Sequence, residues 1–295
     1  MGLKIIVLAK QVPDTRNVGK DAMKEDGTVN RSALPAIFNP EDLNALEQAL
    51  RLKDQFPGST VTLLTMGPPR AADIIREGLF RGADGGYLLT DRVFAGADTL
   101  ATSYALHEAI KKIGDFDLII SGRQAIDGDT AQVGPQVAEK LKIPQITYAE
   151  EIQSVKKGKI TIKRRLERGV EIVEGKLPAL VTVTGAAPAC RPRHAKLIQK
   201  YKYAKTASER QATPQPPEGG DTTKSPSGDL GVLNEWSAAD VNADAKQCGL
   251  SGSPTKVKKI ESVVFQAKES KTLDSSDQQI EELMVELITN HTIGG

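Results

Sequence analysis

Cysteine is nearly absent from this 295-residue chain, Cys190 and Cys248 being the only two. They lie far apart with no second ligand set beside either, so neither a disulfide framework nor a cysteine metal site is implied. Long apolar runs are missing too, which excludes a membrane-spanning helix. Met1-Gly2-Leu3-Lys4 leads straight into a strand-like run with no secretory leader, and without Ser or Thr at the sixth position Gly2 is no myristoylation signal. A cytoplasmic protein with no membrane partner is the expectation. The formal net charge is +1, and Lys163-Arg164-Arg165 has no aromatic platform beside it, so no nucleic-acid partner is expected. No internal repeat, catalytic triad or carboxylate pair beside a nucleophile is present. His107 falls in a helical stretch, His194 in a basic segment and His291 at the tail, and no catalytic residue is assigned.

What is there is alternation of strands and helices. Leu3 to Ala9 is a continuous apolar run of the kind a buried parallel strand shows. Gly19 to Ala36 reads as a polar hairpin or excursion. Asn39 then suits an N-cap, Pro40 the first helical position, and Leu43, Leu46 and Leu50 one helix face. Strands are expected at Ser59 to Thr65, Gly86 to Thr90 and Phe116 to Ile120, with helices through Ile75 and Leu79 and from Asp98 or Thr99 through Ile113. This pattern predicts an α/β fold: a parallel sheet with helices on both faces. Gln145 to Gly175 reads as an antiparallel extension, Leu180 to Val183 as a last core strand, and the doubly wound body ends near Ala187. The domain reading is 1–195 for the nucleotide-binding body, 196–270 for an extended arm, and 271–295 for a helical tail on a partner subunit. The arm includes the Pro/Gly-rich stretch Thr213 to Gly228, and Val257 to Val264 could form a strand-like clamp.

The centre of the pattern is Ser121 to Pro135, a polar loop between a strand and a helix carrying Val133, Val137 and Leu141. Loops of this kind present unpaired N–H groups to nucleotides at the carboxyl ends of parallel strands. Neither the dinucleotide fingerprint nor the P-loop pattern occurs here. Thr130, Gln132, Arg123 and the N–H groups near Gly128 suit a pyrophosphate, while the small Ala9, Gly67 and Gly122 suit a flat adenine or flavin against backbone. Asp127 and Asp129 would repel phosphate unless Arg123 offsets them or they point away. For Asp129 and Thr130, helix capping and ligand contact stand equal.

The segment Gly122-Arg123-Gln124-Ala125-Ile126-Asp127, with Asp129 and Gln132 after it, closely resembles the nucleotide loop of electron-transferring flavoprotein beta subunits. Lys10 to Thr15, Asn39-Pro40-Glu41-Asp42, Thr65 to Pro69, Arg81 to Asp84, Asp91-Arg92, Gly96 to Thr99 and Gly252 to Thr255 match the same family in the same order. The resemblance implies a subunit that pairs with an alpha subunit holding one FAD. In simple carriers the beta subunit holds AMP; in the electron-bifurcating branch it holds a second FAD that accepts hydride from NADH. Gly128 to Gly134 and Asp91 to Thr99 resemble the bifurcating form. On that reading Ala9, Asn39, Met66, Gly122, Arg123, Gln124, Ala125, Asp129, Thr130, Gln132 and Val133 bind the adenylate half of FAD, and the partners are the alpha subunit, ferredoxin and a flavin dehydrogenase of acyl-CoA or hydroxy-acid type. Leu197 aligns with an exposed leucine that docks the dehydrogenase. The alternatives are a simple carrier with structural AMP and, from another class, a stand-alone adenine-nucleotide sensor.

Overall fold

The architecture is that of a computed structural model describing residues 2–14, 35–212, 231–255, 272–274, 276–290 and 292–293. Strand β1 (Lys4–Leu8) explains its own apolar run: Ile5 and Val7 enter one hydrophobic core and Ile6 and Leu8 another, as a strand covered on both faces requires. Strand β2 (Gln11–Pro13) pairs antiparallel with β3 (Ala36–Phe38); most of the expected polar excursion between them lies outside the described residues. Helix α1 (Pro40–Gln55) follows with Pro40 in its first turn and buries Leu46 and Leu50. Next come β4 (Thr60–Met66), α2 (Ala72–Arg81), β5 (Gly85–Leu89), α3 (Thr99–Ile113), β6 (Leu118–Gly122) and α4 (Val133–Leu141). Asp98 caps α3, its side chain accepting from the N–H groups of Leu100 and Ala101.

The antiparallel extension is β7 (Gln145–Lys156), β8 (Lys159–Leu166) and β9 (Gly169–Lys176). Lys157 (φ 50°) and Gly158 (φ 73°) make its first turn, both left-handed as a two-residue hairpin loop requires. Strand β10 (Ala179–Val183) slots between β6 and β7, parallel to both. Helices α5 (Ala195–Tyr201) and α6 (Ala207–Gln211) and strand β11 (Leu233–Trp236) complete this unit. Among the described residues the sheet has nine strands, in the order β11-β5-β4-β1-β6-β10-β7-β8-β9.

The parallel body therefore continues beyond Ala187, where the sequence pattern ends it. Strand β11 pairs parallel with β5, and the Trp236 ring lies 4.1 Å from that of Tyr87 with Lys112 Nζ 4.6 Å from the indole. Four residues carry too little periodicity to reveal a strand; only the distant β5 edge makes one of them. Of the segment expected to be an arm, the described residues run back over the body. Ala238 N–H donates to Asp91, Ser253 Oγ accepts from Asp98 N–H, and Thr255 N–H donates to Asp98. Thr213 to Gly228 and Val257 to Val264 lie outside the described residues.

A second compact unit contains helix α7 (Asp277–Thr289). Ile280, Met284, Val285 and Ile288 are all exposed on it. No helix among the described residues is long and apolar enough to cross a membrane.

Candidate functional site

From β1 the chain proceeds to β4 and β5 on one side and then returns to β6 on the other. The order thus reverses between β1 and β6, and ligands of open parallel sheets bind in the crevice outside the carboxyl ends at such a point. The loops after these two strands hold most of the residues singled out from sequence.

Three residues at the start of α1 fasten that crevice. Asn39 is fully buried, and its side chain does not cap α1 as expected. It reaches across instead: Nδ2 donates to Gln124 O at 2.9 Å and Oδ1 accepts from Ile126 N–H at 3.2 Å. Glu41 accepts from Gln124 N–H at 3.0 Å and Gly185 N–H at 3.3 Å, and pairs with Arg123 at 3.2 Å. Asp42 is buried between the two strand ends, accepting from Lys10 N–H at 2.8 Å and Gly122 N–H at 2.9 Å. Burial pushes its carboxyl up to about 7, opposed by the donors Lys10, Asn39 and Gly122, while Glu41 adds a further upward push.

On the side where a Cβ would stand, Gly122 faces protein: the Cβ would lie 2.4 Å from Asp42 Oδ1, so this glycine makes room for α1. Gly67 is similarly backed, by Ala71, and Ala9 is buried, its N–H donating to Leu64 O. Gly128 stands in the open, with nothing within 4 Å of a Cβ position. Gly134 lets α4 sit on the sheet, since a Cβ would meet Thr182 Cγ2 at 2.9 Å and Ser121 Oγ at 3.1 Å.

The acidic residues are compensated, though not by Arg123. Lys10 Nζ pairs with Asp127 at 2.7 Å, and Gln124 Nε2 donates to Asp129 at 2.8 Å. Neither Asp129 nor Thr130 caps α4, because the N-cap position is Gln132, which has no side-chain cap bond. The chain instead passes through left-handed conformations at Asp129 (φ 48°) and Ala131 (φ 51°) before entering the helix. Gln132 Oε1 accepts from Thr99 Oγ1 at 2.8 Å, fixing the loop to α3.

The result is a run of free donors. Among the described residues, no partner occurs for the N–H groups of Thr130, Ala131 and Gln132. Val133 and Gly134 open α4, where no carbonyl lies four residues back within the helix, and Pro135 has no N–H to satisfy. A helix N-terminus with this many amides at a switch point suits a phosphate or pyrophosphate. Arg123 lies to one side, its guanidinium 5.9 Å from the centre of the Tyr148 ring. Met66, at the end of β4, is half-buried against the α3 side of the sheet. Ala125 and Val133 are half-buried, and Thr130 is exposed.

The electron transfer flavoprotein domain model matches residues 26–212. The electron transfer flavoprotein subunit beta of Megasphaera elsdenii is 46% identical over 264 residues, covering 88% of this chain and 87% of that protein. The chain belongs to the electron transfer flavoprotein beta-subunit family. The caffeyl-CoA reductase-Etf complex subunit CarD of Acetobacterium woodii is 42% identical over 255 residues, 86% of each chain. FixA of Rhizobium meliloti is 38% identical over 293 residues, 97% of this chain and 90% of that one.

Several of this beta-subunit chain's fastening residues escape a reading by residue type. Glu41, Asp42 and Lys10 touch the loop from far away in sequence. Their one signal is the Asn39-Pro40-Glu41-Asp42 stretch, which places two acids in the first turn of a helix facing the crevice. Leu197, in α5 and not on an exposed loop, is half-buried and packs against the core that holds Ile5 and Val7. Among the described residues, no group of three His, Cys, Asp or Glu side chains could hold a metal ion.

Proposed function

We propose that this beta subunit holds the adenylate half of FAD in the β1/β6 crevice and serves NADH-dependent electron bifurcation in the cytoplasm. The observation that carries the reading is the run of free N–H donors from Thr130 to Gly134 at the mouth of the switch point. Those donors would take the pyrophosphate, Arg123 would add positive charge beside it, and Asn39, Glu41 and Asp42 hold the donor loop at fixed distance from β1. Ala9, Gly122 and Asn39 act from behind as packing, and Met66, Gln124, Ala125, Asp129 and Gln132 border the crevice. When bound, FAD supplies hydride acceptance from NADH and division of the electron pair between ferredoxin and a second flavin.

The partner chain is an alpha subunit, and the exposed apolar residues of α7 give it a surface to cover. A flavin dehydrogenase is the final acceptor; the relatives' names speak of caffeyl-CoA and acryloyl-CoA reductases. Cofactor analysis of the complex purified with its alpha subunit tests the reading. Two flavins per heterodimer are expected. One flavin with AMP would replace bifurcation by simple carriage, and an empty beta subunit would remove nucleotide binding altogether.

A further inference from the structure

Strand β7 breaks register against β10 where Thr147 and Tyr148 together face Thr182. Such a bulge bends its strand. Beyond it Ile152 N–H donates to Gln48 Oε1 on α1, so the strand has turned onto the helix. At the bulge the backbone takes a left-handed conformation that its residue is required to adopt, and Tyr148 does so with φ 61°. A glycine meets that requirement without steric penalty, whereas a bulky ring resists it. The side chain is not held there by core packing, because Tyr148 is 40% exposed.

The ring faces Arg123. Its guanidinium lies over the ring at 5.9 Å while its edge meets the Glu41 carboxylate at 3.2 Å. Glu41 in turn holds Gln124 N–H and Gly185 N–H. Ring, guanidinium and carboxylate follow one another at the root of the donor loop, linking β7, the end of β6 and α1.

We propose that Tyr148 is a positioning residue for the nucleotide site: the bulge sets its ring as a platform that holds the Arg123 guanidinium towards the phosphate-binding loop. The inference rests on the nucleotide reading above and deepens it. The strained backbone and the exposed ring have a joint explanation on this account, since the ring is retained for its contact with Arg123 although the backbone would favour glycine.

The test uses the full-length chain with its alpha subunit, stripped of nucleotide, and AMP and FAD as separate titrants in calorimetry, alongside thermal melts. Tyr148→Gly should melt no lower than the wild type, because the left-handed strain is relieved, yet bind about twofold to fivefold more weakly, the size of an exposed cation–π contact. Tyr148→Phe keeps the ring and should match the wild type in both. In an Arg123→Gln background, Tyr148→Gly should cause no further loss. Unchanged affinity in Tyr148→Gly, or a loss that persists undiminished without Arg123, overturns the proposal. If the wild type itself binds neither titrant, the nucleotide reading fails and this inference with it, a result distinguishable from failure of Tyr148 alone.

Discussion

Replacing Asp42 by asparagine separates two opposing forces at the base of the crevice. The carboxylate receives one backbone N–H on each oxygen, from Lys10 and Gly122, which favours the ionised form. Burial opposes ionisation and is the larger influence, lifting the carboxyl from 3.8 to about 7. A native acid that keeps its proton where the unfolded chain has released it makes stability fall as pH rises between those two values. At about 1.4 kcal/mol per pH unit, the loss approaches ~4 kcal/mol by pH 7. The Asp42→Asn variant would carry no such dependence but would set an amide donor against one of the two N–H groups, a deficit of about 1–3 kcal/mol at any pH. Its deficit relative to wild type should therefore be greatest near pH 4 and shrink, or change sign, towards pH 7. Urea unfolding of both proteins across pH 4 to 8 measures it. A deficit that stays constant or grows with pH would mean the two donors outweigh burial, and the account of Asp42 would be wrong.

Arg123→Glu should eliminate nucleotide retention, because it sets two carboxylates together with Glu41 at the root of the donor loop; unchanged flavin absorbance after purification would take Arg123 out of the site. Gly134→Ala should destabilise by about 1–3 kcal/mol, since the added methyl meets Thr182 and Ser121, whereas Gly128→Ala should stay within about 0.5 kcal/mol. Equal melting temperatures for the two variants would refute the difference in their surroundings. Leu197→Ala should slow transfer to the dehydrogenase while NADH oxidation by an artificial acceptor persists; equal loss of both activities would reduce Leu197 to its packing on the hydrophobic core.

Periodicity made the parallel strands and their helices legible because each follows from its own residues: the apolar run at β1, the leucine spacing of α1, the Asp98 cap of α3. The donor loop was legible in the same way, as a polar stretch between an apolar strand and an amphipathic helix. The contacts across the crevice were not. Asn39 has the chemistry of a cap and is used as a clamp, a choice decided by what lies opposite it and not by its neighbours in the chain. That Asp42 lies against Gly122 is equally invisible from the residues beside either. Strand β11 exists only because β5 offers it an edge.

That last pairing bears on how the molecule is made. Roughly 140 residues separate Leu89, the end of β5, from Leu233. At about 5–20 residues per second, a ribosome leaves the β5 edge bare for ~7–30 s after that strand emerges. An unpaired edge is a template for neighbouring chains. Fragments ending before Leu233 would keep that hazard permanently, so the final short strand acts as a seal against self-association.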